Sequence, residues 1–173
     1  MGGEHKTMKS LIASIMILGV VGMVVGVAVL ADTESTVTAT VTVQSISVSV
    51  TDGIVAYGTL AAGASTSTLA GELNDLQTAT NNGNVTEDFN IRGQVSSPAG
   101  WTLGASAGNN VYVHEFSTNS FATSSPLTTS NQTLAIGITV ASTQDFDLKI
   151  TTPTATDNYE QQSVDVTVQV TAS

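Results

Sequence analysis

The chain has 173 residues, no cysteine, a formal net charge of −10, and only 10% charged residues. Disulfide staples are therefore excluded. So is phosphate-backbone recognition of nucleic acid: of the four Lys and Arg residues, Lys6 and Lys9 lie near the start, leaving Arg92 and Lys149 for the rest. A solvated disordered chain is excluded by the 41% hydrophobic content, and the abundance of Thr, Ser, Val and Ala favours strands over helices.

Lys6 and Lys9 precede an apolar run over 11–30 that only Ser14 interrupts. A basic start, an apolar core and Val29-Leu30-Ala31 read as an export signal, with cleavage between Ala31 and Asp32. Met8 is an alternative start. The run is also about 20 residues long, enough to span a bilayer, and Gly22 and Gly26 form a GxxxG pattern. A retained membrane anchor is thus the alternative; both readings place the body outside the membrane. The predicted organisation is a hydrophobic leader helix, signal peptide or anchor, over 1–31, an arm over 32–44 and a β-sandwich domain over 45–173. The last two segments hold about 140 residues, enough for a core without staples.

Residues 36–51, TVTATVTVQSISVSVT, alternate apolar and polar, the period of a half-buried strand. Val37, Ala39, Val41 and Val43 occupy odd positions, whereas Ile46, Val48 and Val50 occupy even ones. One strand cannot keep both sets on one face, so Gln44-Ser45 marks a bulge or a junction between two strands. Asp52-Gly53 predicts a turn, 54–60 a short strand, and Ala61-Ala62-Gly63 another turn. A polar strand or edge follows over 65–69. Residues 72–80 fit either a helical turn or a strand. Asn81-Asn82-Gly83-Asn84 is a loop.

Phe89, Ile91 and Val95 alternate as a strand, with Gly93 at a bulge or close contact. After the turn at 96–100 and a small-residue loop over 104–110, Val111 and Val113 share one parity and Tyr112, His114 and Phe116 the other, predicting a strand covered on both faces. Residues 117–130 read as a loop. Leu134 to Val140, Phe146 to Ile150 and Val164 to Val170 alternate as three further strands. About eight to ten short strands without a convincing helix in the body predict an all-β fold, an antiparallel β-sandwich or jelly roll.

Few residues offer chemistry. Asp145 and Asp147 share a strand face and are the calcium candidates, with Glu87, Asp88, Asp157 and Glu160 placed in loops. A solvated acidic face explains them as well, and no EF-hand or nonapeptide repeat is present. His114 is the body's single histidine, without HExxH, a cysteine or a nucleophile elbow. No catalytic residues, metal site or cofactor are therefore expected, and the protein is not read as an enzyme. Asn84-Val85-Thr86 and Asn131-Gln132-Thr133 are N-glycosylation sequons, a pattern that a Thr-rich chain also produces by chance. Trp101, Tyr57, Tyr112, Phe89, Phe116 and Phe146 are few and scattered, as core plugs would be.

Residues 9–35, KSLIASIMILGVVGMVVGVAVLADTES, resemble the leaders of TasA and camelysin-type surface proteins. Gly19, Gly22, Gly26 and Asp32-Thr33-Glu34 carry the resemblance; Val29-Leu30 stand where the family has an aromatic pair. Over the body the likeness is general. In that family, and in archaeal pili that look like it, the resemblance implies extracellular fibres in which each subunit's N-terminal strand completes the sandwich of the next. Camelysin-like proteins also carry a peptidase label, which this residue inventory does not support. Val37, Ala39, Val41 and Val43 are then the expected donor-strand face, with a second copy of the chain as partner. The expectation is a secreted, head-to-tail filament subunit of a cell surface or biofilm matrix, in contact with neighbouring filaments and with the membrane only through its leader. The alternative is a monomeric, membrane-anchored adhesin or glycan-binding module.

Overall fold

The computed structural model describes residues 34–173. The leader helix, the GxxxG pair and the Ala31/Asp32 junction lie outside them. Contacts divide the chain into two units at Val41/Thr42, so 34–41 and the body from Thr42 onward are taken separately. Among the described residues there is no helix, and so none long and apolar enough to cross a membrane.

The body is all-β, with ten strands in two groups that give a sandwich-like arrangement: β1 (Val48–Val50), β2 (Ser65–Ser67), β3 (Gln77–Asn81), β4 (Glu87–Gly93), β5 (Thr102–Leu103), β6 (Val111–Ser117), β7 (Ser125–Pro126), β8 (Gln132–Ile138), β9 (Thr143–Thr151) and β10 (Val166–Ala172). The larger sheet runs β1-β3-β9-β6-β5, with β2 added to β9 and β7 to β6; the smaller one runs β10-β4-β8. Pairing is antiparallel except between β5 and β6, where Thr102 faces Val111 and Leu103 faces Tyr112 in parallel. The core lies among Ala79, Phe89, Ile91, Phe116, Leu127, Leu134, Phe146 and Leu148. Five elements supply the alternating faces that meet there, as the period of two requires.

Several sequence expectations are corrected. Of 36–51, only Val48–Val50 is a strand. The Asp52-Gly53 turn forms, with φ of 64° and 69°, but 54–60 never pairs. Among the described residues no backbone hydrogen bond joins this segment to another part of the chain, although Val55 and Tyr57 pack against the core. Residues 72–80 supply Gln77–Thr80 of β3 and no helix; β3 also takes in Asn81, expected in the following loop, because Asn81 pairs with Val48 of β1. The 117–130 loop contains β7. Glu87 and Asp88 are not loop residues; they begin β4, and Glu87 is fully buried. The reason is register: both β10 and β8 extend far enough to pair with Glu87, through Ala172 and Ile138. Gly93 is the close contact expected of it. A Cβ there would lie 2.9 Å from Leu103 Cδ2 and 3.2 Å from Leu127 Cβ.

Candidate assembly interface

Residues 34–47 carry no strand assignment and are exposed. Val37 is 89% exposed, Val41 92% and Val43 82%, and Ala39 is exposed as well. The arm's alternation fits a strand, yet strand geometry is stabilised by a neighbour's ladder and by burial of one face. Fully burying each valine would contribute roughly 1–2 kcal/mol.

The body carries open edges. β10 pairs along all seven residues with β4 and, among the described residues, with no other strand. Its sequence, VTVQVTA, has no charge, proline or glycine. Val166, Val168 and Val170 are half-buried against the core while the alternate residues face solvent. A regular, uncharged edge of this kind is a template for another strand. The opposite edge, β8, is blunted: its register with β4 shifts twice around Phe89, and Gly137 has a φ of 69°. Gly137 N also donates to Asp88 Oδ1 at 2.8 Å, which fixes that irregularity. β1 is the edge of the larger sheet and comes within 8 Å of β10. The unpaired 54–60 segment leaves directly from β1 through its turn. Three backbones with unused hydrogen-bonding capacity therefore belong to β1, β10 and 54–60, and their apolar side chains pack against one core.

Tyr57 ties the unpaired segment to the interior, with its hydroxyl 2.8 Å from His114 Nε2. His114 is 1% exposed, an interior residue of β6, as a strand covered on both faces requires. It stacks edge-on with Tyr57 and tilts against Tyr112, which in turn meets Trp101. Burial lowers the His114 pKa from 6.5 to about 4, so the ring is neutral at ordinary pH. Burial, with the charge of Asp75 adding to it, pushes the Tyr57 hydroxyl well above the usual tyrosine range. Tyr112, whose hydroxyl donates to Gln94 O, is raised in the same way, chiefly by burial and then by Asp165. This cluster is a packing device in which the Tyr57, Tyr112 and Trp101 polar tips are paired internally, while His114 Nδ1 is buried without a hydrogen-bond partner among the described residues.

Of the other candidates, Asp145 and Asp147 border one pocket with Leu76, Thr118 and Ser120. Asp145 accepts from Thr78 Oγ1 at 2.6 Å and is exposed; Asp147 accepts from Thr68 Oγ1 at 2.9 Å and is buried. Each carboxylate is thus occupied by a threonine, and they do not form the shared solvated face that the sequence suggested. Among the described residues no three His, Cys, Asp or Glu side chains converge as metal ligands would. Asn131 is exposed and its Nδ2 donates to Gln169 Oε1 at 2.8 Å. Asn84 is exposed too, with its side chain bonded to the chain just before β1. Sequence reasoning missed that set of contacts; three asparagines around a glycine were the available signal.

Comparison with family models, with curated proteins and with solved structures finds no match to this chain.

Proposed function

We propose that the protein is a structural subunit of an extracellular filament, polymerising head-to-tail as the N-terminal arm of one copy pairs with the open side of the next. One observation carries the reading: an alternating apolar arm lies exposed in a protein whose β10 edge is regular, uncharged and unpaired. About eight arm residues span roughly 26 Å in extended form, comparable to the seven-residue β10. Main-chain pairing supplies direction and register, and alternate side-chain contacts supply specificity. Because the donating and receiving surfaces differ, the contact does not close on itself and propagates a fibre. The reading includes export through the leader, no enzymatic activity and a second copy as partner.

The test is deletion of residues 32–43 behind an intact leader. The expected result is a secreted body with strand-rich circular dichroism and no filaments under the electron microscope. Filaments of normal appearance from the truncated protein would overturn the reading.

A further inference from the structure

The loop between β3 and β4 holds the segment at the base of the arm. On the odd-numbered residues, consecutive main-chain groups from Val43 O to Ser47 O each find a partner there. Asn84 Nδ2 donates to Val43 O at 2.8 Å, and Ser45 N donates to Asn84 Oδ1 at 2.8 Å. Asn84 N donates to Ser45 O at 3.0 Å, and Asn82 N donates to Ser47 O at 2.8 Å. Between them Ser47 N donates to Glu87 Oε1 at 2.8 Å, and Asn82 Nδ2 reaches Ser49 Oγ at 2.7 Å. None of residues 43–47 is a strand residue, yet this side of the segment is paired as a ladder would pair it.

The loop is itself held. Asn81 is fully buried; its Nδ2 donates to Val85 O and Ile138 O, both at 2.9 Å, and its Oδ1 accepts from Gly83 N at 2.8 Å. Gly83 has no room for a side chain. A Cβ would lie 2.3 Å from Glu87 Oε1 and 2.5 Å from Ser45 O. The glycine is required by close approach of the clamped segment.

We propose that Asn84 is a positioning residue: its side-chain amide stands in for a peptide group and fixes the root of the arm as a continuation of β1. Its place in a sequon is then secondary. The two-point contact engages both Oδ1 and Nδ2, the nitrogen to which a glycan would be joined. The importance of a fixed root rests on the strand-donation reading, since a preset arm pays less ordering entropy on pairing; the clamp itself does not.

Two variants separate the roles. Asn84→Ala removes clamp and sequon together, whereas Thr86→Ala removes only the sequon. In amide hydrogen exchange followed by NMR, the Ser45 amide is expected to exchange about five- to tenfold faster in Asn84→Ala, the loss of roughly 1 kcal/mol of hydrogen bonding. It is expected to be unchanged in Thr86→Ala, and filaments are expected to weaken only in the former. Should Asn84→Ala fail to fold, Asn84→Asp keeps the acceptor for Ser45 N and loses the donor to Val43 O, and is expected to loosen the segment less. Unchanged Ser45 protection in a folded Asn84 variant overturns the clamp, and equal loss of filaments in both variants overturns its role in assembly. If truncation of 32–43 leaves filaments intact while Ser45 behaves as expected, the strand-donation reading fails and the clamp stands.

Discussion

Residues 37–43 read VTATVTV and β10 reads VTVQVTA: nearly the same letters, the same alternation, no charge in either. Their fates are opposite. Val166, Val168 and Val170 are half-buried and paired along their length with β4, while Val37, Val41 and Val43 are more than four-fifths exposed. The difference is not propensity, which is equal. It is that β10 meets Phe89 and Ile91 of β4, whose other neighbour β8 is already in place, whereas the arm has no strand partner among the described residues. Alternation confers the ability to be a strand; a ladder and a buried face make one.

The comparison can be broken by the same chemical change at both places. Val41→Asp is expected to leave the stability of the body within about 0.5 kcal/mol of wild type, as exposed substitutions do, while abolishing filaments. Val168→Asp is expected to cost roughly 2–4 kcal/mol in chemical denaturation, because it buries a carboxylate without a partner. Equal stability losses would show that both segments bury their valines in the same molecule.

The interior beneath the open edges can be sharpened by pH. The folded pKa of His114, about 4, lies below the unfolded value of 6.5. Below pH 6.5 the unfolded chain binds a proton that the folded one does not, so stability is present above 6.5 and is lost as pH falls toward 4. The slope is about 1.4 kcal/mol per unit and the total on the order of 3 kcal/mol. Denaturation midpoints between pH 7 and 4 measure it, and His114→Gln is expected to remove most of the slope. Exposed Glu72 and half-buried Asp88, held low by hydrogen bonds from Ser67 and from Ser173, respectively, act only at more acid pH. The smallest expected effect lies on the far side of β9. Lys149 Nζ is 2.6 Å from Glu115 Oε2 and 5.1 Å from the Phe121 ring centroid. Both groups are partly solvated, so Lys149→Met is expected to change stability by less than about 1 kcal/mol, with no effect on filaments.

Much of the fold was legible. The alternation of Phe89 and Ile91, and of Phe146, Leu148 and Ile150, placed β4 and β9 on their correct faces, because burial of one face imposes a period of two. Gly93 was recognisable as a contact point for the same reason. Along β8 and just beyond it the expected face holds at Leu134 but not at Ile136 and Val140, which are 73% and 50% exposed where the pairing with β4 turns irregular. Residues 54–60 were misread. They carry a strand's side-chain pattern, and Val55 and Tyr57 are packed as a strand's would be, but no pattern in the side chains reports whether the backbone has a partner. Asp147 and Glu87 were misplaced because a single acidic residue does not reveal the threonine or the amide that makes its burial tolerable.

The linear order of residues alone established a strongly acidic chain without cysteine, predicted the all-β fold, and marked an alternating segment ahead of Val48. The folded arrangement decided which alternating segments obtain neighbours, which edge is blunted, and that an asparagine loop grips the chain before β1. The physical reason is range. Side-chain periodicity is local and is written into neighbouring residues, whereas hydrogen-bond partners and close approaches join residues some forty positions apart, as Asn84 does with Val43 and Ser45.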